Sequence, residues 1–186
     1  MDTLARWAGY LTIAGGALMA LILVVLTVSP DSPVTYAFIA VIPLLGAGVL
    51  GLYQRTGSAV GQLGRGSAWL TALGLTGMLV VAVYGLATNQ FSTDPNAPDP
   101  LEPLFIVTSF AWLGGSTVFA AALVRARALS LPGAWLVLAG AAGGLLVSIL
   151  GGQNPPPWTY LVFAWYGVGW VVLGYAATRL AVHSAG

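Results

Sequence analysis

The stretch that decides the fold is residues 7–28, WAGYLTIAGGALMALILVVLTV, which contains no Asp, Glu, Lys, Arg or His. A helix of this length spans about 33 Å at a rise of 1.5 Å per residue, and the hydrocarbon core of a bilayer is about 30 Å thick. Backbone amides find no water in that layer, so a helix, which pairs its own amides, is the expected structure. The stretch therefore predicts a transmembrane helix.

Five further stretches have the same length and character. Of the 186 residues, 58% are hydrophobic and only 6% are charged. A soluble domain carries about 25% charged residues, so most of this surface must face lipid. We therefore expect one all-α domain over residues 1–186, a polytopic bundle of six transmembrane helices with spans at about 7–28, 35–53, 68–87, 104–124, 134–150 and 158–180.

The distribution of charge predicts the orientation of the bundle. Between the expected spans, every arginine falls on one side, namely Arg6, Arg55, Arg65, Arg125, Arg127 and Arg179. The connections on the other side carry Asp31, Asp94, Asp99 and Glu102. Arginines close to span ends mark the cytoplasmic side of a membrane. We expect a multi-pass protein of a prokaryotic cytoplasmic membrane, with both termini in the cytoplasm.

The spans follow a repeated pattern. Each outward-going span begins with a Trp and has a Gly eight residues later, and each inward-going span follows a Pro and ends at an Arg 22 residues later. The pairs are Trp7 and Gly15, Trp69 and Gly77, Trp135 and Gly143, then Pro33 and Arg55, Pro103 and Arg125, Pro157 and Arg179. Two interpretations stay open: three pseudo-repeated helical hairpins, or a common spacing imposed by bilayer thickness and by the interfacial preferences of Trp and Arg.

The residue inventory argues against catalysis. The chain has no Cys, its only histidine, His183, lies in the C-terminal tail, and no span has an acidic or basic residue in its interior. Acid–base chemistry requires titratable groups, and proton or ion coupling in membranes usually requires them within the spans. We therefore expect no enzyme activity, no His-ligated cofactor and no nucleic-acid partner.

Two groups of residues are candidate sites. Asp94, Asp99 and Glu102 lie in the long connection between the third and fourth spans and are weak candidate ligands for a divalent cation. A solvated acidic loop is the alternative. Trp165, Tyr166 and Trp170 lie within the last span, where they are expected either to line a pocket for a quinone, a carotenoid or a lipid tail, or to pack between helices.

Small residues recur at helical spacing in several spans. Gly140 and Gly144 form a GxxxG pair, and Ala47 and Gly51 have the same spacing. In lipid such residues let helices approach closely, since packing replaces the hydrophobic driving force. They predict helix contacts within the chain, or contacts with a second copy or another subunit.

Two functions follow as hypotheses. The first is a non-catalytic accessory or scaffold subunit of a larger membrane assembly, whose partners are the bilayer and either other membrane subunits or further copies of the chain. The second is a small transport or binding module for an uncharged or lipophilic solute, with Thr71, Thr76, Thr108 and Ser109 as further candidate lining residues. A scaffold should have no cavity that opens to solvent, whereas a binding module should have an open cavity of about 300 Å³ or more.

Overall fold

A computed structural model describes residues 3–30, 32–88, 101–150 and 156–183. This part of the chain is all-α. Its helices are α1 (Thr3–Val28), a short 3₁₀ helix (Pro33–Ala37), α2 (Phe38–Thr88), α3 (Glu102–Ala126), α4 (Leu131–Leu150) and α5 (Thr159–His183). All five α-helices are long and apolar enough to cross a membrane, so the chain is a multi-pass membrane protein.

The third predicted span, 68–87, and all of the second, 35–53, except its first three residues fall within the 51 residues of α2, while residues 35–37 belong to the 3₁₀ helix. The backbone of α2 is not helical at Gly61, where φ is 64° and ψ is −157°. This region of backbone space is open essentially only to glycine, so Gly61 is where the helix changes direction. We call residues 38–60 the first limb of α2 and residues 62–88 the second limb.

The two limbs fold back on each other. A Cβ atom placed on Gly46 of the first limb would lie 3.8 Å from Leu75 Cδ1 of the second limb. In an uninterrupted helix these two residues would be about 44 Å apart. The first limb packs on α1, where Gly51 faces Ala8, and the second limb packs on α3, where Gly74 faces the backbone of Trp112.

The helices close into a ring. Along the chain each helix packs on the next, and α5 returns to pack on α1. Two glycine pairs make this closure: the Cβ of an alanine at Gly9 would lie 2.8 Å from the carbonyl oxygen of Gly174, and one at Gly16 would lie 2.6 Å from that of Gly167. Because any side chain here would strike backbone, α1 and α5 can approach this closely only with glycine.

Arg55, at the end where α1 begins and α5 ends, ties three helices together. Its guanidinium donates hydrogen bonds to the backbone carbonyl oxygens of Ala5, of Ala177 (2.6 Å) and of Arg6 (3.2 Å). A planar guanidinium with five donors suits such a junction, since each carbonyl lies on a different side of the group. We call this end of the bundle the arginine end.

Small residues predicted to pack between helices do so within the chain. Gly140 of α4 faces the backbone of Tyr166, and Gly144 faces the ring of Phe163, both on α5.

In each predicted Trp–Gly pair, the Gly lies against a neighbouring helix and the Trp is partly exposed. Trp7, Trp69 and Trp135 are all about half exposed, as expected for side chains that contact lipid or its headgroups.

Candidate functional site

A cavity of about 680 Å³ lies between the helices at the end of the bundle opposite the arginine end. Four helices and the 3₁₀ helix supply its walls. The lining residues are Met19, Leu23 and Leu26 of α1; Pro30, Ser32, Pro33 and Tyr36; Phe38, Ile39, Val41, Ile42, Leu75, Met78, Val81, Ala82 and Leu86 of α2; Phe105 and Trp112 of α3; and Tyr160 and Phe163 of α5.

Both limbs of α2 contribute to the cavity wall. They approach each other at Gly46 and Leu75, and residues from 38–42 of the first limb and from 78–86 of the second line the cavity. The lining residues of α1 run from Leu26 to Met19 and those of α3 from Phe105 to Trp112, which is seven residue steps along each helix. Seven residues of helix correspond to about 10 Å, so the cavity reaches roughly a third of the way through the hydrocarbon layer.

The lining residues that carry hydroxyl groups are all near the mouth of the cavity. Ser32 and Tyr36 belong to the connection between α1 and α2, and Tyr160 is the second residue of α5. The deeper wall consists of aliphatic and thioether side chains, among them Met19, Leu75 and Met78. A cavity of this size and character accommodates an apolar ligand and offers a charged one no partner.

An aromatic cluster closes the inner end of the cavity. Trp112 forms part of the cavity wall, and its indole N–H donates a hydrogen bond of 2.8 Å to the hydroxyl oxygen of Tyr166. The hydroxyls of Ser116 and Tyr166 are also hydrogen-bonded to each other, at 2.8 Å. Trp170 packs edge-on against Tyr166 and stacks on Phe119. We refer to Trp112, Ser116, Phe119, Tyr166 and Trp170 as the aromatic cluster.

One donor within this cluster has no acceptor. The indole Nε1 of Trp170 is buried and makes no hydrogen bond with any described residue. Leaving a buried donor unpaired costs about 1–3 kcal/mol. The ring of Trp170 stacks on Phe119, and its Cβ lies against Gly16 of α1.

The three aromatic residues expected from the sequence have different surroundings. Tyr166 and Trp170 are fully buried and share a face of α5, with ring centroids 5.7 Å apart. Neither lines the cavity, although Tyr166 holds Trp112, which does. Trp165 is 60% exposed on the outside of the bundle. That these three residues bind a ligand stays a prediction.

The four hydroxyl groups expected to line a pocket make other contacts, three of them with the backbone of their own helix. Thr71, Thr76 and Thr108 each donate to a backbone carbonyl oxygen four residues earlier, at 2.8–2.9 Å. Ser109 contacts the sulfur of Met78 at 3.5 Å. Sequence reasoning missed Trp112, Met19 and Met78 as cavity residues, because side chains of these types occur in ordinary helix packing as well.

The candidate metal site stays a prediction, because two of its three residues lie outside the part of the chain that the structure describes. Asp94 and Asp99 are these two, and Glu102 is the first residue of α3. Among the residues that the structure describes, no group of three or more His, Cys, Asp or Glu side chains comes together.

Comparison with known proteins finds no relative. No protein-family model matches the chain, and no curated protein or solved structure is significantly similar to it.

Proposed function

We propose that the protein is a membrane-embedded binding module that holds a lipophilic, uncharged solute in the cavity between its helices. The observation that carries the proposal is the cavity itself, whose volume of about 680 Å³ exceeds the roughly 300 Å³ at which ligand pockets begin. Its wall is apolar, and its inner end is closed by the aromatic cluster. A quinone, a carotenoid or a lipid tail has the required chemistry.

The closed inner end favours binding over conduction. Trp112, Tyr166 and Trp170 fill the space between α3 and α5, and two of them are hydrogen-bonded to each other. A solute that entered from the mouth would therefore stop at Trp112. Passage across the membrane would require α3 and α5 to separate and the hydrogen bond between Trp112 and Tyr166 to break.

An accessory or scaffold subunit, the other function expected from the sequence, has less specific support. A docking face in lipid needs small residues that are open to a neighbour. Gly140, Gly144 and Gly51 already face other helices of the same chain, and Gly114 of α3 is a small residue that is open on the outside. The cavity is also a feature that a scaffold does not require.

The proposed membrane topology is six spans with the arginine end in the cytoplasm. Two observations support it: α2 is about 76 Å long if straight, more than twice the hydrocarbon thickness, and its limbs fold back at Gly61. Four arginines lie at one end of the bundle: the Arg55 guanidinium is hydrogen-bonded to the backbone carbonyls of Arg6 and Ala177, and one surface recess is lined by Arg127 and Arg179.

The proposed orientation is tested by introducing a single cysteine at Ser58 or at Ser32 of this cysteine-free chain. Impermeant maleimide added to intact cells should label Ser32→Cys and spare Ser58→Cys; the reverse pattern would overturn the orientation.

The function is tested by removing space from the cavity. Ala82 lies on the cavity wall, and its replacement Ala82→Trp places a large ring inside. The matched control is Ala17→Trp, at an exposed position on the outside of α1 that does not line the cavity. Each protein is purified in mild detergent, and its organic extract and its native mass are compared with those of the unmodified chain.

We expect a discrete lipophilic mass to accompany the unmodified protein and Ala17→Trp and to be lost from Ala82→Trp. Met78→Trp, on the same wall one turn away, should repeat the loss and guards against a folding defect specific to one variant. Equal ligand in all four proteins would mean that the solute binds elsewhere. Other subunits in fixed stoichiometry with no small molecule would support the scaffold instead.

A further inference from the structure

The polarity of the cavity changes along its depth, and this gradient restricts the orientation of anything bound there. Hydroxyl groups of Ser32, Tyr36 and Tyr160 are at the mouth. Below them the wall has only hydrocarbon and thioether side chains until it reaches Trp112. A ligand that fits this wall has its polar group at one end and hydrocarbon over the rest of its length.

The inner wall of the cavity, which Trp112 forms, offers no free partner to a polar group. The Trp112 N–H is already donated to Tyr166, whose hydroxyl is bonded to Ser116 as well. A headgroup at that depth would lose its water without gaining a hydrogen bond, which is strongly unfavourable. A chain end at the same place only exchanges one apolar environment for another.

The mouth is near the ends of the spanning helices, which is the level at which the headgroups of a bilayer are expected. Tyr36, Leu86 and Phe105 line the cavity and are also 55%, 40% and 47% exposed. Leu86 and Phe105 are within three residues of the ends of their helices, which is about 5 Å along the axis. A lipid in the adjacent leaflet already has its headgroup at this level and its chain directed inward, so it can enter without turning over.

We infer that the occupant is an amphiphile with a single polar end and a hydrocarbon chain, bound with its chain toward Trp112 and its polar head at Ser32, Tyr36 and Tyr160. This inference rests on the proposed function and adds the class of the solute and its direction. It disfavours a solute with polar groups at both ends. A fatty chain and an isoprenoid chain share the required chemistry, so the experiment includes both.

The test uses two isomeric photoactivatable probes, uncharged saturated long-chain alcohols with a diazirine either at the chain end or beside the hydroxyl group. Each is added to the purified full-length protein, irradiated, and located by peptide mass mapping. The chain-end probe should label the floor positions Met19, Leu75 and Trp112, and its isomer should label residues 30–38. We expect each probe to prefer its own region by at least about tenfold, since the reversed orientation buries an unpaired headgroup.

Matched variants and probes separate the outcomes. Ala82→Trp should abolish saturable labelling by both probes, and Ala17→Trp should leave it unchanged. The same pair of probes built on a prenyl chain shows which chain binds more tightly. Reversed or evenly spread labelling that Ala82→Trp still abolishes would overturn the orientation and leave the proposed function standing. Labelling that Ala82→Trp leaves unchanged, or no saturable labelling by any probe, would overturn both.

Discussion

Two adjacent glycines of α3 provide a sharp test of how closely the helices pack. A Cβ atom at Gly115 would lie 2.6 Å from the backbone N of Thr71, 2.7 Å from its Oγ1 and 2.9 Å from the carbonyl oxygen of Ser67. A Cβ atom at Gly114 would have nothing within 4 Å. The substitutions Gly115→Ala and Gly114→Ala therefore make the same chemical change at neighbouring positions, one against α2 and one in open space.

The expected difference follows from two opposing effects. Alanine is about 0.8–1.0 kcal/mol more favourable than glycine inside a helix, so Gly114→Ala should stabilise the protein by about that amount. Gly115→Ala gains the same term, but overpacking against two backbone atoms that cannot rotate away costs about 3 kcal/mol. The net change at Gly115 is a loss of about 2 kcal/mol, and the two variants should differ by about 3 kcal/mol.

The assay is thermal unfolding of the purified protein in one detergent, followed by size-exclusion fluorescence or scanning fluorimetry. For a chain of this length a change of 1 kcal/mol moves the Tm by about 2–4 °C, so the two variants should melt about 6–12 °C apart. Gly114→Ala should melt at or above the unmodified protein. Equal melting temperatures, or a more stable Gly115→Ala, would refute the close approach of α2 and α3 at this point.

Three further substitutions are read in the same unfolding assay. Arg55→Gln removes the guanidinium that ties α1, α2 and α5 and should cost about 1–3 kcal/mol, whereas Arg65→Gln, at an exposed position, should cost little. Tyr166→Phe leaves the Trp112 N–H without its acceptor and should cost about 1–3 kcal/mol, with a change in indole fluorescence. Gly61→Ala forces a Cβ into a backbone conformation reserved for glycine and should cost about 1–3 kcal/mol, while Gly66→Ala should not.

Each of these expectations has an outcome that would contradict it. Equal losses at both arginines would mean that the charge at this end matters and the junction does not. Tyr10→Phe, at an exposed tyrosine, supplies the control for the buried phenol, and an equal effect at both would remove the case for the aromatic cluster. An unchanged melting temperature for Gly61→Ala would mean that the limbs of α2 are joined in some other way.

Hydropathy was sufficient to predict that the chain is helical and crosses a membrane, because lipid allows few other structures. The expected span 104–124 lies inside α3, Glu102–Ala126, and the expected span 158–180 nearly coincides with α5, Thr159–His183. The connection between the second and third expected spans was harder to predict. It contains no proline, so the helix continues on both sides of Gly61, and only the backbone angles of that one residue show the turn.

The sequence did not predict which side of each helix points into the bundle, and the cavity depends on that orientation. Trp165 and Tyr166 are neighbours in sequence, yet the first is 60% exposed and the second is fully buried. In a soluble protein an alternation of polar and apolar residues would distinguish them, but lipid leaves both faces of a helix apolar. Tyr166 is buried because Gly140 on α4 leaves room for its backbone and because its ring and hydroxyl contact Trp112 and Ser116 on α3.

The glycine pairs that close the ring also delay the final packing of α1 until α5 has been synthesised. Gly9 and Gly16 of α1 pack on Gly174 and Gly167 of α5, so α1 leaves the ribosome before the helix on which it packs. About 150 residues separate them, and at roughly 5–20 residues per second the wait lasts on the order of ten to thirty seconds. Throughout that interval α1 presents a strip of bare backbone to the bilayer. The nascent chain thus has a defined window in which an insertase, or a second copy made from the same message, can occupy the place reserved for α5.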